Sequence, residues 1–345
     1  MIAPDATDRD VLLEVTDLSV GFKSRGKPLA EAVRSMSYSV RRGETLAIVG
    51  ESGSGKSVGA MAMLGLLPGS AVVTGSAVFE GADLLAMPQK QLRTYRGRRI
   101  AMIFQDPMTA FHPAFTIGNQ IAETMTVHGL AGKKESMSRA AELLELVGVP
   151  EPGVRVNQYP HEYSGGMRQR AMVAMAIANK PDLLIADEPT TALDVTIQAQ
   201  VMEVLAEVQT EVDAALILIT HDLGVVANVA ERVQVMYGGR IVERGPVDKI
   251  FRQPRNPYTR GLLSSLPRVD GVRGDRLIPI GGTPPSILNM PPGCAFEPRC
   301  PHRTAICGQE PAKLESDGFD HESRCHNTYV LPAWEDINAA RTTPS

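Results

Sequence analysis

The chain is poor in cysteine, in aromatic residues and in long apolar runs. Four of its 345 residues are cysteine, one is tryptophan, and aromatics make up 5%. No apolar run reaches the ~18 residues a membrane-spanning helix needs, so the sequence predicts no span. Residues 1–10 carry acids and no apolar stretch, so the sequence predicts no signal peptide and a cytosolic chain. Any membrane role then comes through a partner. Positive charge is not in excess either: the net formal charge is −4. A mildly acidic balance argues against bulk nucleic-acid binding, which needs a basic face. The one local basic cluster, Arg93, Arg96, Arg98 and Arg99, reads as a solvated edge. What remains is an ordinary globular composition, 43% hydrophobic and 21% charged, long enough for one large or two modest domains.

The pattern is that of an α/β protein. Leu12 to Val20 and Val33 to Val40 read as strands, followed by a turn at Arg41-Arg42-Gly43. Thr45 to Val49 is a short apolar run entering a glycine-rich loop, as a buried parallel strand would. A helical pattern follows Lys56 to Leu67 and stops at Pro68-Gly69. Val78-Phe79 and Ile100 to Phe104 read as strands, Ile117 to Gly148 as helix broken at Gly129 to Gly132, and Met167 to Ala178 as helix. Leu183 to Ala186 and Leu216 to Thr220 are apolar strands separated by a helix, Val195 to Val212. Val233 to Tyr237 and Arg240 to Glu243 flank Gly238-Gly239 as a hairpin. From Phe251 prolines crowd the chain and forbid long helices. The expected division is a domain at 1–250 with a helical insert at about 106–170, a C-terminal extension at 251–330, and a disordered tail at 331–345.

Four places in the chain carry recognisable chemistry. Gly50-Glu51-Ser52-Gly53-Ser54-Gly55-Lys56-Ser57 is a phosphate-binding loop between strand and helix. Its glycines, Gly50, Gly53 and Gly55, let the backbone wrap phosphates and aim N–H groups at them, with Ser52 in the cradle. Lys56 reaches the β- and γ-phosphates and Ser57 ligates Mg²⁺. Asp187 ends an apolar strand, where a second Mg²⁺-directing carboxylate sits, and Glu188 follows as the general base for the attacking water. His221 follows the next strand and is placed to touch a γ-phosphate, because strand ends of such sheets converge on one crevice. Ser164-Gly165-Gly166 is a second glycine-rich turn that a lone phosphate-loop enzyme does not need.

Taken together these residues resemble the ATP-binding subunits of ABC transporters, over roughly residues 11–330. Ile103-Phe104-Gln105-Asp106-Pro107-Met108, Asn256-Pro257-Tyr258-Thr259-Arg260 and the late cysteines look like the oligopeptide/dipeptide importer subfamily. The resemblance implies an ABC-type P-loop ATPase fold: a RecA-like core, an antiparallel β subdomain, a helical insert and a small irregular cysteine module. It implies that Ser164, Gly165 and Gly166 meet the γ-phosphate held by an opposing subunit. Tyr163 and Met167 stand where the family usually has leucine and glutamine. It further implies that Gln105 senses Mg²⁺ and water, that Asp194 of Ala192-Leu193-Asp194 joins the two sites, and that Phe22 stacks on adenine, with Tyr38 as the alternative. The implied catalytic set is Glu188, His221, Gln105 and Lys56; the Mg²⁺ set is Ser57, Gln105 and Asp187. The implied partners are a second ATPase subunit (a paralogue or a second copy), two permeases and an extracytoplasmic solute-binding protein, at the cytoplasmic face of the membrane. No nucleic acid is implied.

The cysteines, Cys294, Cys300, Cys307 and Cys325, follow a C-x5-C-x6-C-x17-C spacing. No C-x2-C pair occurs, so a zinc ribbon is not matched, nor is ferredoxin spacing, though Cys300-Pro301 echoes its last ligand. A [4Fe–4S] cluster is favoured chiefly by the resemblance; Zn²⁺, disulfides and free thiols are the alternatives. Two other function classes compete with a transporter subunit. A soluble ABC-type ATPase acting on nucleic acid or ribosomes would bring tandem cassettes, coiled coils or basic surfaces. An ordinary P-loop kinase leaves Ser164, Glu188 and His221 unexplained.

Overall fold

The computed structural model describes residues 10–26, 28–190, 195–266, 279–318, 320–329, 331 and 334. The proposed tail at 331–345 falls almost wholly outside them. Along the chain run β1 (Val11–Phe22), β2 (Ala30–Arg41), β3 (Thr45–Val49), α1 (Lys56–Met63), β4 (Ala71–Phe79), β5 (Ala82–Asp83), α2 (Gln89–Tyr95) and β6 (Ile100–Ile103). Then come α3 (Pro107–Ala110), α4 (Ile117–Val127), α5 (Lys133–Leu146), α6 (Pro152–Arg155), α7 (Gly165–Ile177), β7 (Leu183–Asp187), α8 (Val195–Val212) and β8 (Ala215–Thr220). Last are α9 (Leu223–Val229), β9 (Arg232–Tyr237), β10 (Arg240–Pro246), α10 (Val247–Arg252), α11 (Pro257–Ser264), β11 (Glu315–Ser316) and β12 (Glu322–Ser323).

The chain divides into two compact units, one of Met1–Leu13, Ser39–Thr45 and Val78–Ile219, the other of Glu14–Tyr38, Leu46–Ala77 and Thr220–Ser345. In the first unit β6, β7 and β8 run parallel, with Ile100 opposite Leu183 and Leu183 opposite Ala215. β7 and β8 are buried from end to end, as continuous apolar runs in a parallel sheet should be. The helices α4, α5 and α7 pack on one another. α4 buries Ile117, Ile121, Ala122 and Met125, one face of a helix, and Thr116 caps it by accepting the Asn119 N–H at 3.4 Å. Two of the four arginines in the basic cluster have local partners. Arg99 bonds Asp182 and Glu80, while Arg96 donates to Gln89 at 2.8 Å. Burial and the neighbouring Arg93 lower the Arg96 guanidinium below its usual range.

In the second unit the strands lie in the order β11-β12-β10-β9-β3. β3 is parallel to β9, β9 and β10 form the expected hairpin, and β10 pairs antiparallel with β12, Glu243 opposite Ser323. The chain beyond 250 thus returns to extend a sheet begun at β3. The core here joins Val49, Val233, Val235 and Tyr237 to Tyr258 and Phe296 of the extension. The three rings meet with centroids 4.5–5.3 Å apart, in tilted and edge-to-face geometries. The larger parts of β1, β2 and β4 lie side by side in the order β2-β1-β4.

Most strands match the sequence pattern; some ends do not. α1 stops at Met63, short of Leu67, because Gly65 takes a left-handed φ of 58°. β4 begins at Ala71, seven residues before Val78. Thr74-Gly75-Ser76 hid it by breaking the apolar alternation. Gly75 is required there: a Cβ would lie 2.6 Å from the Asp17 carbonyl oxygen. The short α2, α3, α9 and α10 had no periodic signal. In the proline-rich region the helices are short, α10 with six residues and α11 with eight.

Candidate active site

Within the second unit, β3 delivers the chain into the loop 50–57 and α1 leaves it. Gly55 sits at φ 102°, and a Cβ on it would lie 2.4 Å from the Ala32 carbonyl oxygen; one on Gly50 would lie 2.2 Å from that of Met236. Only glycine lets the loop close this tightly against its neighbours. Lys56 is buried, and its Nζ donates to the carbonyls of Gly50 at 2.8 Å and Glu51 at 3.2 Å. The ammonium is thereby folded back across the loop it belongs to. Ser57 is half-buried in the first turn of α1, Ser52 and Gly53 are exposed, and the Gly239 N–H donates to the Ser54 carbonyl at 3.1 Å.

Phe22 lies half-buried at the end of β1. Tyr38, the alternative, is buried beside Met63, with its hydroxyl 3.6 Å from the sulfur, and burial pushes its phenol well above the usual value. His221 is exposed just past β8, and Asp222 after it caps α9 by accepting the Gly224 and Val225 N–H groups at 2.8 and 3.3 Å.

Within the first unit, β7 ends on Asp187, which is buried. Glu188 follows in a left-handed conformation, φ 46°, with its N–H donating to the Ile219 carbonyl at 2.8 Å. That turn is unusual for a non-glycine residue, and such strain is characteristic of sites where a side chain is aimed for chemistry. Gln105 Nε2 donates to Glu188 Oε2 at 3.0 Å, joining two residues 83 apart in sequence. An amide hydrogen-bonded to a half-exposed carboxylate orients it without neutralising it.

The second glycine turn opens α7. Ser164 is its cap, accepting the Met167 N–H at 3.3 Å, and Ser164 and Gly165 are exposed. A Cβ at Gly166 would lie 2.9 Å from Ile197, so glycine keeps α7 against α8. Tyr163 anchors the turn from behind: it is buried, its hydroxyl donates to the Arg155 carbonyl at 2.9 Å, and burial raises its phenol to about 12. A thirteen-residue helix therefore presents its N-terminus and a free glycine edge to solvent, the arrangement that receives a phosphate. Asp194, Ala192 and Leu193 lie outside the described residues.

A family model described as ABC transporter matches residues 33–191, and one described as oligopeptide/dipeptide transporter, C-terminal region, matches residues 242–307. The dipeptide transport ATP-binding protein DppD of Bacillus subtilis is 51% identical over 298 residues, 86% of this chain and 88% of that protein. The chain belongs to the ABC transporter family of ATP-binding proteins, in its oligopeptide/dipeptide branch. The oligopeptide transport ATP-binding protein OppD of Mycobacterium tuberculosis is also 51% identical, over 93% of this chain. This chain spans only 52% of that relative's length. Among solved structures, the dimeric structure of MJ0796, a bacterial ABC transporter cassette, superposes with a TM-score of 0.61 at 25% identity, covering 68% of this chain and 98% of that one. The fold of this ABC protein is therefore the cassette fold implied by its loop motifs.

The four cysteines of this family member form no disulfide and line one cavity together with Phe296, Asn327 and Arg324. Burial raises Cys294 and Cys325, and pushes Cys300 up to about 11, with the other thiols adding to each shift. Among the described residues no group of three or more His, Cys, Asp or Glu is disposed to hold a metal ion. Two residues to which the motifs assigned no role adjoin the phosphate loop: the Glu51 N–H donates to the Tyr258 hydroxyl at 2.9 Å, and Arg299 pairs with the Glu51 carboxylate. Tyr258 belongs to the Asn256-Pro257-Tyr258 phrase, and Glu51 sits inside the loop motif, but contacts 207 and 248 residues apart leave no sequence signal.

Proposed function

We propose that this protein is the ATP-binding and hydrolysing subunit of an ABC importer that takes up peptides. Its work is ATP-driven closure and reopening of a dimer of such subunits. The observation that carries the reading is the Gln105–Glu188 pair: a strand-end carboxylate, held in a strained turn and oriented by a distant glutamine, is the fitting of a general base that positions a water. Membership of the oligopeptide/dipeptide branch supports peptides as cargo, and the dimeric cassette of similar fold supports pairing.

The site residues fit a magnesium nucleotide. The donors assigned to Mg²⁺, the Ser57 hydroxyl, the Gln105 amide oxygen and the Asp187 carboxylate, are all hard oxygens. When bound, the ion would offset charge on the β- and γ-phosphates. The residues of this chain do the rest. The backbone of Gly50 to Gly55 and the Lys56 ammonium bind phosphate oxygens, and Phe22 stacks on the base. Glu188 accepts the proton of the attacking water, and His221 donates toward the γ-phosphate. Ser164, Gly165 and Gly166 of one subunit supply N–H and hydroxyl donors to the γ-phosphate on its partner, so charge developing in the transition state meets preset dipoles from both chains. Asp194 links the two sites. Hydrolysis removes the phosphate that both subunits grip, and the dimer opens.

The proposed layout is a nucleotide-binding domain at 1–250 with the insert at about 106–170, and an extension at 251–330. The proposed partners are a second ATPase subunit, two permeases and a solute-binding protein, with the chain peripheral at the cytoplasmic face of the membrane. Among the described residues no helix is long and apolar enough to cross a membrane. The four cysteines are proposed to hold a [4Fe–4S] cluster, with Zn²⁺ as the alternative, chiefly on the resemblance to importer subunits of this branch; the four line a single cavity but, among the described residues, are not grouped as metal ligands. The deciding experiment is Glu188→Gln. It should keep ATP binding, cut turnover at least ~100-fold, and trap an ATP-bound dimer on size exclusion. Wild-type turnover in that variant would remove Glu188 from the base role and the reading with it.

A further inference from the structure

We propose that Arg299, in the cysteine segment, is a positioning residue for the phosphate loop, so that ATP affinity depends on the C-terminal extension. The inference rests on the reading of residues 50–57 as the ATP phosphate site and goes beyond it.

Arg299 ends a short 3₁₀ turn, Glu297–Arg299, between Cys294 and Cys300. Its side chain is only 4% exposed. Nη1 donates to Glu51 Oε2 at 2.6 Å and Nη2 to Oε1 at 2.9 Å, a two-pronged ion pair with the second residue of the phosphate loop. Nη1 also donates to the Tyr237 hydroxyl at 3.2 Å, Nη2 to the Ile280 carbonyl at 3.3 Å, and Nε to the Gly281 carbonyl at 2.8 Å. These contacts match the five N–H donors of a guanidinium. The plane is further held at 5.8 Å from the rings of Tyr237 and Phe296. Electrostatic pairing with Glu51 raises the guanidinium further above its usual range.

Glu51 is gripped at both ends. Its carboxylate takes Arg299, its N–H donates to the Tyr258 hydroxyl, and its carbonyl accepts the Lys56 ammonium and the Ser54 N–H, both at 3.2 Å. The loop's own lysine therefore shares a residue with an arginine 248 positions later. The turn that aims Arg299 is in turn fixed by the cysteine segment. Cys294 donates its N–H to the Cys307 carbonyl at 2.7 Å, and Cys300 donates to Glu297 at 3.1 Å. A phosphate loop binds well only if its backbone and lysine are already in place. The bidentate pair supplies that order from outside the loop. Lysine at 299 keeps the charge but not the fork.

The test uses the full-length chain and measures ATP affinity and the KM and kcat of ATPase activity. The variants are Arg299→Ala, Arg299→Lys, Glu51→Gln, the double variant Glu51→Gln/Arg299→Ala, and Arg303→Ala. Arg303 is a control, mostly exposed and paired with Glu297 in the same segment. Losing charge-assisted hydrogen bonds predicts a KM for ATP raised ~10-fold or more in Arg299→Ala with kcat little changed, and a smaller rise in Arg299→Lys. The double variant should bind about as weakly as either single one, and Arg303→Ala should match wild type. ATP affinity within twofold of wild type in Arg299→Ala, or additive effects in the double variant, would overturn the proposal. If Arg299→Ala does not fold, Arg299→Lys and Glu51→Gln decide on the same terms. Wild-type protein that binds no ATP would instead refute the nucleotide reading itself.

Discussion

Replacing Glu243 by alanine should destabilise the second unit more than any change confined to its surface. Glu243 is fully buried, and three groups converge on its carboxylate. Oε1 accepts the Arg255 N–H at 2.6 Å and hydrogen-bonds with His321 Nε2 at 2.7 Å; Oε2 accepts the Asn256 N–H at 3.1 Å. These contacts tie β10 to the start of α11 and to the segment entering β12. Alanine leaves two backbone donors and one buried imidazole without that partner. An orphaned buried polar group costs ~1–3 kcal/mol, and three neighbours that can relax together, each near the low end of that range, give about 3–5 kcal/mol. That agrees with the roughly 3–5 kcal/mol for breaking a buried pair by removing one member. At about 2–4 °C per kcal/mol for a unit of this size, the thermal midpoint should fall by some 6–20 °C. Scanning calorimetry on the full chain measures it, and Glu243→Gln, which keeps one acceptor oxygen, should lose about half as much. A fall under ~3 °C for Glu243→Ala would show that the carboxylate is not the tie described here.

The remaining predictions concern the nucleotide site and the cysteines. Lys56→Ala should weaken ATP binding itself by roughly 10–100-fold, read by titration with a fluorescent nucleotide; unaltered affinity would remove the lysine from the phosphate site. Ser164→Arg should lower hydrolysis at least ~100-fold while monomeric protein still binds ATP, since in the proposed dimer the turn it fills serves the neighbouring subunit's nucleotide. If the variant hydrolyses normally, the turn is not part of a shared site. Protein purified without oxygen should be brown with broad absorbance near ~400 nm. Colourless protein carrying stoichiometric zinc would replace iron–sulfur by the zinc alternative.

Local chemistry made much of this protein legible before any fold was known. β3, β7 and β8 were readable because strands buried on both faces must be continuous apolar runs, and α8 because eighteen residues hold a full periodic pattern. The phosphate loop was readable because a backbone that wraps phosphate needs glycine at set positions. Elements decided by one cap, such as α9 on Asp222, or by a steric gap, such as the part of β4 before Val78 through Gly75, were not readable: their cause lies in one contact rather than a repeat.

The sequence by itself determined the motif set, its order and the family, since these depend on residue type at short spacing. Only the tertiary structure decided what those motifs lean on. It joined Gln105 to Glu188, laid β12 on β10, and set Arg299 and Tyr258 against Glu51. The reason is physical: a hydrogen bond needs partners ~3 Å apart, and which distant residues come that close is fixed by how strands pair and helices pack, not by spacing along the chain.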